Sequence, residues 1–170
     1  MFKNRRRRSR VKDVQLMAKL FPAADAVALS DGVHDTRAEH LLIAALELDE
    51  SGHRAFARVG ANANDFGAAV SDQHAEALRG TGLQDFDNAL PETDKPEPPI
   101  LNSSSPSAKK MFRAVVDKVR HEKSQLYSAY FVLVAAELER GTVPRAIRHM
   151  GIEPTALADS AREEIALLNG

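Results

Sequence analysis

The stretch EHLLIAA at residues 39–45 decides the fold, because its apolar part, LLIAA, returns as VLVAA at residues 132–136, 91 positions later. The register continues without a gap on both sides, and the aligned pairs are Leu20-Phe21 with Met111-Phe112, Arg54-Ala55-Phe56 with Arg145-Ala146-Ile147, Gly60 with Gly151, and Phe66 with Leu157. Apolar positions recur while polar positions differ, as expected when two copies bury the same helical stripe. Chance similarity between alanine-rich helices is the alternative, and the gapless register argues against it.

Apolar residues recur with the helical period of 3.6 in eight segments, at residues 11–29, 39–48, 54–59, 66–78, 108–119, 130–138, 143–150 and 157–168. Thr36 and Glu39 have the spacing of a capping box, Ser105-Pro106 combines a helix N-cap with a first-turn proline, and Gly60 and Gly151 suit C-terminal caps. The low aromatic content of 5% and the abundance of Ala, Leu, Arg and Glu favour helices. The sequence therefore predicts an all-α fold of two four-helix repeats related by a pseudo-twofold axis.

The predicted repeats divide the chain into four parts. Residues 1–10 are predicted to be a basic disordered tail, residues 11–79 the first repeat, and residues 105–170 the second. Residues 80–104 contain prolines and a serine run without a helical period, which predicts an extended linker. The two repeats are expected to form one domain.

Composition limits the function classes. The chain has 170 residues, 44% of them hydrophobic, which is enough for a buried core, and its formal net charge is −1. It has no cysteine, which excludes disulfides and thiolate metal sites and fits a reducing cytoplasm. No continuous apolar stretch follows the basic start, so neither a signal peptide nor a membrane span is predicted. We expect a cytoplasmic protein without a membrane partner.

The motif Glu39-His40-Leu41-Leu42, followed by a short helix that ends at Val59-Gly60, resembles the Glu-His-Leu/Ile-Leu signature of the Clp N-terminal domain family. Residues 105–110, SPSAKK, resemble the opening of that domain's second repeat, and the likeness extends from about residue 11 to the end. The resemblance implies a double Clp-N motif without an active site. In the family this domain receives adaptors and substrates for a ring ATPase, including proteins phosphorylated on arginine.

The resemblance also implies a ligand or peptide site, with Glu39, His40, Ser105 and Tyr130 as its candidate residues. In the family each copy pairs the motif carboxylate with a hydroxyl from a neighbouring first helix, but here Tyr130 replaces the second carboxylate and Val14 replaces a hydroxyl residue. We therefore expect one weak site at Glu39 and a silent second copy, for which Ser105 supplies the hydroxyl. Glu39 as a capping-box residue is the alternative, and His40 is expected to be packed and hydrogen-bonded between helices.

Enzyme and metal motifs are absent from the sequence. It has no Gly-x4-Gly-Lys-Ser/Thr phosphate loop and no Gly-x-Ser-x-Gly elbow, so no catalysis is predicted. The cluster His34, Asp35, Glu39 and His40 lacks the His-Glu-x-x-His spacing of a zinc site. We expect no metal and no cofactor.

Two functions follow from these observations. The first is a non-catalytic protein-binding module that recognises Clp adaptors, substrates, Clp ATPase components, arginine-phosphorylated proteins or small ligands, and modulates Clp-dependent proteolysis. The alternative is a nucleic-acid-associated helical protein that binds polyanions through an arginine arm, formed by Arg5, Arg6, Arg7, Arg8 and Arg10. The net charge of −1 argues against a broadly basic face, so only the arm would bind nucleic acid.

Overall fold

The computed structural model describes residues 2–80 and 104–170, with side chains from Lys12 onward. Its helices are α1 Phe2–Ser30, α2 Ala38–Leu46, α3 Ser51–Arg58, α4 Phe66–Gly80, α5 Pro106–His121, α6 Ser128–Glu137, α7 Thr142–His149 and α8 Pro154–Asn169. A 3-10 turn at Ala63–Asp65 precedes α4, and the described stretches contain no strand. The predicted all-α fold is confirmed.

The first helix starts earlier than expected. The predicted disordered tail at residues 1–10 has a helical backbone from Phe2 onward, whereas the sequence indicated a helix from residue 11. Arginine and lysine are strong helix formers, and no glycine or proline interrupts the chain before Pro22. Most of the predicted linker, from residue 81 to residue 103, lies outside the described residues.

Several predicted helix ends are confirmed. The hydroxyl oxygen of Ser105 accepts from the N–H of Ala108 at 3.3 Å, and Pro106 is the first residue of α5. Gly60 and Gly151 have φ values of +76° and +73°, the left-handed conformation that glycine adopts without strain. Both glycines end their helices by the same backbone pattern, in which the next N–H reaches a carbonyl five residues back.

The packing of the two halves is reciprocal. Ser51–Arg58 and Thr142–His149, which form α3 and α7, start and end 91 residues apart. Helix α3 packs against α8, and α4 packs against α7. Phe21 and Phe112 are also 91 residues apart, and their rings contact each other with centroids 5.0 Å apart. Contact between equivalent residues is expected near a twofold axis, so these contacts support the predicted pseudo-twofold relation.

The core is built around α2 and α6. Every residue from Ser128 to Ala136 in α6 is buried, and in α2 only Ile43 is partly exposed. Helices that are apolar on nearly all sides must be covered on all sides. Helix α6 is covered by α3, α5 and α8, and α2 mainly by α1. Glu39 and His40, in the first turn of α2, are charged or ionisable exceptions inside this core.

The N-termini of α3 and α6 meet and cap each other. The hydroxyl oxygen of Ser128 accepts from the N–H of Gly52 at 2.7 Å, and that of Ser51 accepts from the N–H of Ala129 at 3.0 Å. The carboxylate of Asp49 accepts from the N–H groups of Ser51 and Ser128 at 2.8 and 2.9 Å. First-turn N–H groups have no partner within their own helix, so this exchange satisfies both helix ends at once.

Gly52 lies where α3 and α6 approach most closely in this junction. A Cβ atom at residue 52 would lie 2.7 Å from Cδ2 of Leu46 and 2.9 Å from Oγ of Ser128. We expect Gly52→Ala to lower the free energy of unfolding by about 1–3 kcal/mol, measured by denaturant titration. Gly67→Ala is the matched control, because its Cβ would meet only Ile43 at 4.0 Å. Equal effects of both changes would contradict the predicted close approach.

An ion-pair network joins α3 to α8. Glu164 is 3% exposed, and its carboxylate accepts from Nε of Arg54 and Nε of Arg58, both at 2.8 Å. Burial by itself raises the pKa of Glu164, but the hydrogen bonds from the two guanidinium groups outweigh it and hold the pKa below its ordinary value. The ion pair between Arg58 and Glu163, at 3.2 Å, has a counterpart 91 residues away in His149 and Asp72, at 3.4 Å.

Glu164 is expected to stabilise the fold in a pH-dependent way. Because its pKa is lowered in the folded state, its contribution is present above the unfolded value of about 4.5 and is lost as the pH falls through the folded value. Glu164→Gln should therefore reduce the free energy of unfolding by about 1–3 kcal/mol at pH 7, with the difference shrinking below pH 4.5. Glu163→Gln, at a side chain that is 65% exposed, should reduce the free energy of unfolding by less. A difference that stays constant from pH 7 to pH 3 would contradict this.

Candidate functional site

The start of α2 is capped differently from the prediction. The N-cap is Arg37, whose N–H donates to Nδ1 of His40 at 3.1 Å. The predicted capping box of Thr36 and Glu39 is wrong, because Thr36 is buried against α1 and its hydroxyl donates to the carboxylate of Asp25. The Thr36 hydroxyl therefore forms a tertiary hydrogen bond instead of capping the helix in the way that the local pattern predicts. Glu39 therefore has no capping role.

His40 is fully buried and hydrogen-bonded, as expected. Because its Nδ1 accepts from Arg37, the neutral ring carries its proton on Nε2. That atom lies 3.4 Å from a carboxylate oxygen of Asp31 at the end of α1. Burial lowers the pKa of His40, and the opposing effects of Glu39 and Asp31 are smaller. His40 is thus a neutral imidazole that orders the first turn of α2.

Glu39 is a buried carboxylate with an unused oxygen. The residue is 3% exposed, and its Oε1 has no hydrogen-bond donor. The nearest ionisable partner is Nε2 of His74 on α4, at 3.7 Å, which is too long for a hydrogen bond. Among the described residues, the buried side-chain atoms without a hydrogen-bond partner are Oε1 of Glu39, Nε2 of His40 and Nε2 of His74. An unsatisfied buried polar atom costs about 1–3 kcal/mol, so a ligand that bonds to Glu39 would recover this energy.

The N-terminus of α5 lies beside the start of α2. The N–H of Ser105 donates to the carbonyl of Thr36 at 2.9 Å, and the hydroxyl of Ser107 accepts from the N–H of Ala38 at 3.3 Å. The hydroxyls of Ser105 and Ser107 are 2.8 Å apart. The two serines thus contact Thr36 and Ala38 at the start of α2 in the first repeat, whereas the hydroxyl of Ser105 was predicted to serve the second copy.

The reason is an exchange of helix starts between the repeats. The first helix of the second repeat, α5, begins beside α2 of the first repeat. Correspondingly, a carboxylate oxygen of Asp13 on α1 accepts from the N–H of Leu126, just before α6. Sequence offset identifies equivalent positions but does not show which copy supplies each neighbour, and this exchange was missed for that reason.

Tyr130 occupies the second-copy position. It is fully buried, and its hydroxyl donates to a carboxylate oxygen of Glu122 at 2.6 Å, while the side-chain amide of Asn169 donates to the same hydroxyl at 3.5 Å. Burial, together with the hydrogen bond to Glu122, raises the pKa of Tyr130 to about 12. The phenol is therefore neutral and engaged with partners inside the protein.

An open cleft of about 280 Å³ adjoins the start of α2. Its apolar lining comes from α1, α2 and α5, and Lys109 and Arg113 add two cationic side chains. The apolar residues are Phe21, Leu41, Ala108 and Phe112. Thr36 and Ser104, which pair through their backbones, also line this cleft. The cleft was not predicted from the sequence, although the equivalence of Phe21 and Phe112 was a signal for it.

The other predictions concern the arginine arm, a metal site and a membrane span. The side chains of the arginine arm, Arg5, Arg6, Arg7, Arg8 and Arg10, lie outside the described residues. In the described part of the chain, no group of three or more His, Asp or Glu residues is placed to hold a metal ion. Within those same residues, no helix combines the length and apolar character needed to cross a membrane.

Comparison with known proteins identifies the fold. No model of a known protein family matches the sequence, and no curated protein matches it either. The structure is similar to the crystal structure of the N-terminal domain of the caseinolytic protease-associated chaperone ClpD from Arabidopsis thaliana, with a TM-score of 0.58. The two are 16% identical, over 88% of this chain and 91% of that chain. The chain therefore has a Clp N-domain-like fold.

The buried phenol of Tyr130 should be visible in the pH dependence of stability. Because its pKa is raised in the folded state, its contribution is complete below the unfolded value of 10.0 and is lost as the pH rises towards about 12. We expect Tyr130→Phe to lower the free energy of unfolding by about 1–3 kcal/mol at pH 7, with the difference disappearing between pH 10 and pH 12. Tyr127→Phe should lower the free energy of unfolding by less, since no described residue forms a hydrogen bond with the hydroxyl of Tyr127. A loss at pH 7 no larger than that of Tyr127→Phe would refute the prediction.

Proposed function

We propose that this chain is a non-catalytic protein-binding module that recognises adaptors, substrates or small ligands of the Clp system in the cytoplasm. It would modulate Clp-dependent proteolysis by competing with the N-domain of a Clp ATPase for these partners. The similarity of its fold to the ClpD N-terminal domain supports the protein-binding role. No cofactor is needed for such a function.

The observation that carries this proposal is the unused Oε1 of Glu39. A carboxylate that is 3% exposed and lacks a donor is costly unless a partner supplies one. A guanidinium group offers several N–H donors in a planar fork and remains charged at every physiological pH. Its bond to Glu39 would be charge-assisted, which makes arginine the side chain that this carboxylate suits best.

The surroundings favour an arginine that carries a phosphate. The hydroxyls of Ser105 and Ser107 lie at the N-terminus of α5, next to the residue that precedes Glu39. Hydroxyl groups and the N–H groups of a helix's first turn bind phosphate oxygens. Phosphoarginine combines the two chemistries, so an arginine-phosphorylated protein segment is the ligand class proposed for the site.

The neighbouring cleft would bind another part of the same segment. Phe21 and Phe112 provide aromatic surface for an apolar side chain, while Lys109 and Arg113 favour an acidic one. In the second copy, the hydroxyl of Tyr130 is already bonded to Glu122. One binding site per chain is therefore proposed. The described residues provide no observation that favours nucleic-acid binding through the arginine arm.

Calorimetry with phosphoarginine tests the proposal. We expect one site per chain and a loss of at least about tenfold in affinity for Glu39→Gln, which removes the charge of the acceptor. Glu47→Gln is the matched control, because Glu47 is an exposed glutamate just after the same helix and should leave binding unchanged. Two equivalent sites, or binding that survives Glu39→Gln, would show that Glu39 is not the acceptor.

A further inference from the structure

His74 and Glu39 are neighbours that have not formed a bond. Nε2 of His74 and Oε1 of Glu39 are 3.7 Å apart, and both atoms are buried without a hydrogen-bond partner. The imidazole is the more accessible of the two, with its side chain 35% exposed against 4% for the carboxylate. A group that bonds to Oε1 of Glu39 would therefore meet the imidazole of His74 beside it.

Helix α4 gives His74 room to move. The helix is anchored through its buried residues Phe66, Ala69 and Val70, and no later residue of α4 is buried. His74 lies one turn beyond this anchor, and its ring is not held by a described hydrogen bond. A small rotation of the side chain would shorten the distance between Nε2 of His74 and Oε1 of Glu39 from 3.7 Å to about 2.8 Å, the length of a charge-assisted hydrogen bond.

The chemistry of the pair depends on one proton. A protonated imidazole donates from both ring nitrogens and carries a positive charge, so it can occupy the carboxylate of Glu39 in the same way as a guanidinium. A neutral imidazole has no charge to compete with a cationic guest. Histidine changes between these two states within the range of about pH 5 to 8.

The groups around His74 leave Glu39 as its partner. On α2 it faces Glu39 and His40, with Arg37 at the N-cap, and burial lowers the pKa of His40. The carboxylates of Asp72 and Glu76 flank it in sequence, and Glu76 accepts from the side chain of Gln73 at 3.2 Å. On α7 the charged groups are Arg145, Arg148 and His149, and His149 lies 3.4 Å from Asp72 of α4. Among the described residues, the carboxylate within 4.0 Å of the His74 imidazole is that of Glu39.

We infer that His74 is an internal competitor for the binding site: when protonated it occupies the Glu39 carboxylate and excludes a cationic guest, and when neutral it leaves the site open. This inference rests on the proposed function, in which Glu39 receives an arginine side chain. It makes His74 a specificity-determining residue whose protonation closes the site. Binding should therefore weaken as the pH falls from 8 to 6.

The first test uses N-acetyl-arginine amide, whose single charge does not change between pH 6 and pH 8. Binding is followed by NMR chemical shifts at both pH values. We expect about fivefold weaker binding at pH 6 for the unsubstituted chain, equal binding at both pH values for His74→Gln, and at least about tenfold weaker binding at both for His74→Arg. His149→Gln, at the other histidine–carboxylate pair of α4 and α7, should behave like the unsubstituted chain. Binding that does not change with pH in the unsubstituted chain would overturn the inference.

The second test needs no guest. A double-mutant cycle of His74→Gln and Glu39→Gln, measured by the free energy of unfolding, isolates the interaction between the two side chains. We expect coupling at pH 6 and its loss at pH 8. Coupling that is equal at the two pH values, or absent at both, would overturn the inference whether or not the probe binds. Coupling at pH 6 alone, with no calorimetric binding of phosphoarginine to the unsubstituted chain, would refute the proposed function and still support the pairing of His74 with Glu39.

Discussion

Two nearly all-apolar helices, α2 and α6, must be removed from water on every side, and the other helices are arranged to do this. Burial of apolar surface is the main driving force of folding, and neither helix can satisfy it by packing against one neighbour. Each of the helices α1, α3, α5 and α8 contributes part of the cover. As a consequence, the starts of these helices are also buried, and their backbone N–H groups need partners from elsewhere in the chain.

The chain meets this need in different ways at its helix starts. At α6 the serines and Asp49 of the α3 junction provide the acceptors, and every bond in that junction is made. At α2 the acceptors are His40 and Ser107, which leaves Glu39 in a buried position without a capping duty. A charged side chain is held there without a full set of bonds, and the binding site is proposed at this point for that reason.

The two halves differ in chemistry at one pair of equivalent buried positions. Glu39 corresponds to Tyr130, and a carboxylate with a free oxygen in one repeat corresponds to a phenol bonded to Glu122 in the other. The ion pairs of α3 with α8 and of α7 with α4 also correspond, but only the former includes a buried glutamate. The two halves thus share one packing scheme but carry different chemical groups at equivalent positions, since apolar positions determine the packing and polar ones are free to change.

By itself the sequence determined the eight helices, their ends at Gly60, Gly151 and Ser105, and the offset of the repeat, because periodicity and caps are local properties of the chain. The Thr36 capping box was wrong, since the carboxylate of Asp25 accepts from the threonine hydroxyl instead, and α1 begins at Phe2 rather than at residue 11. Only the tertiary structure decided that Ser105 pairs with Thr36 at the start of α2 and that His74 faces the carboxylate of Glu39. These contacts join residues 35 to 69 positions apart, and no local pattern encodes which distant side chain will fill a buried helix start.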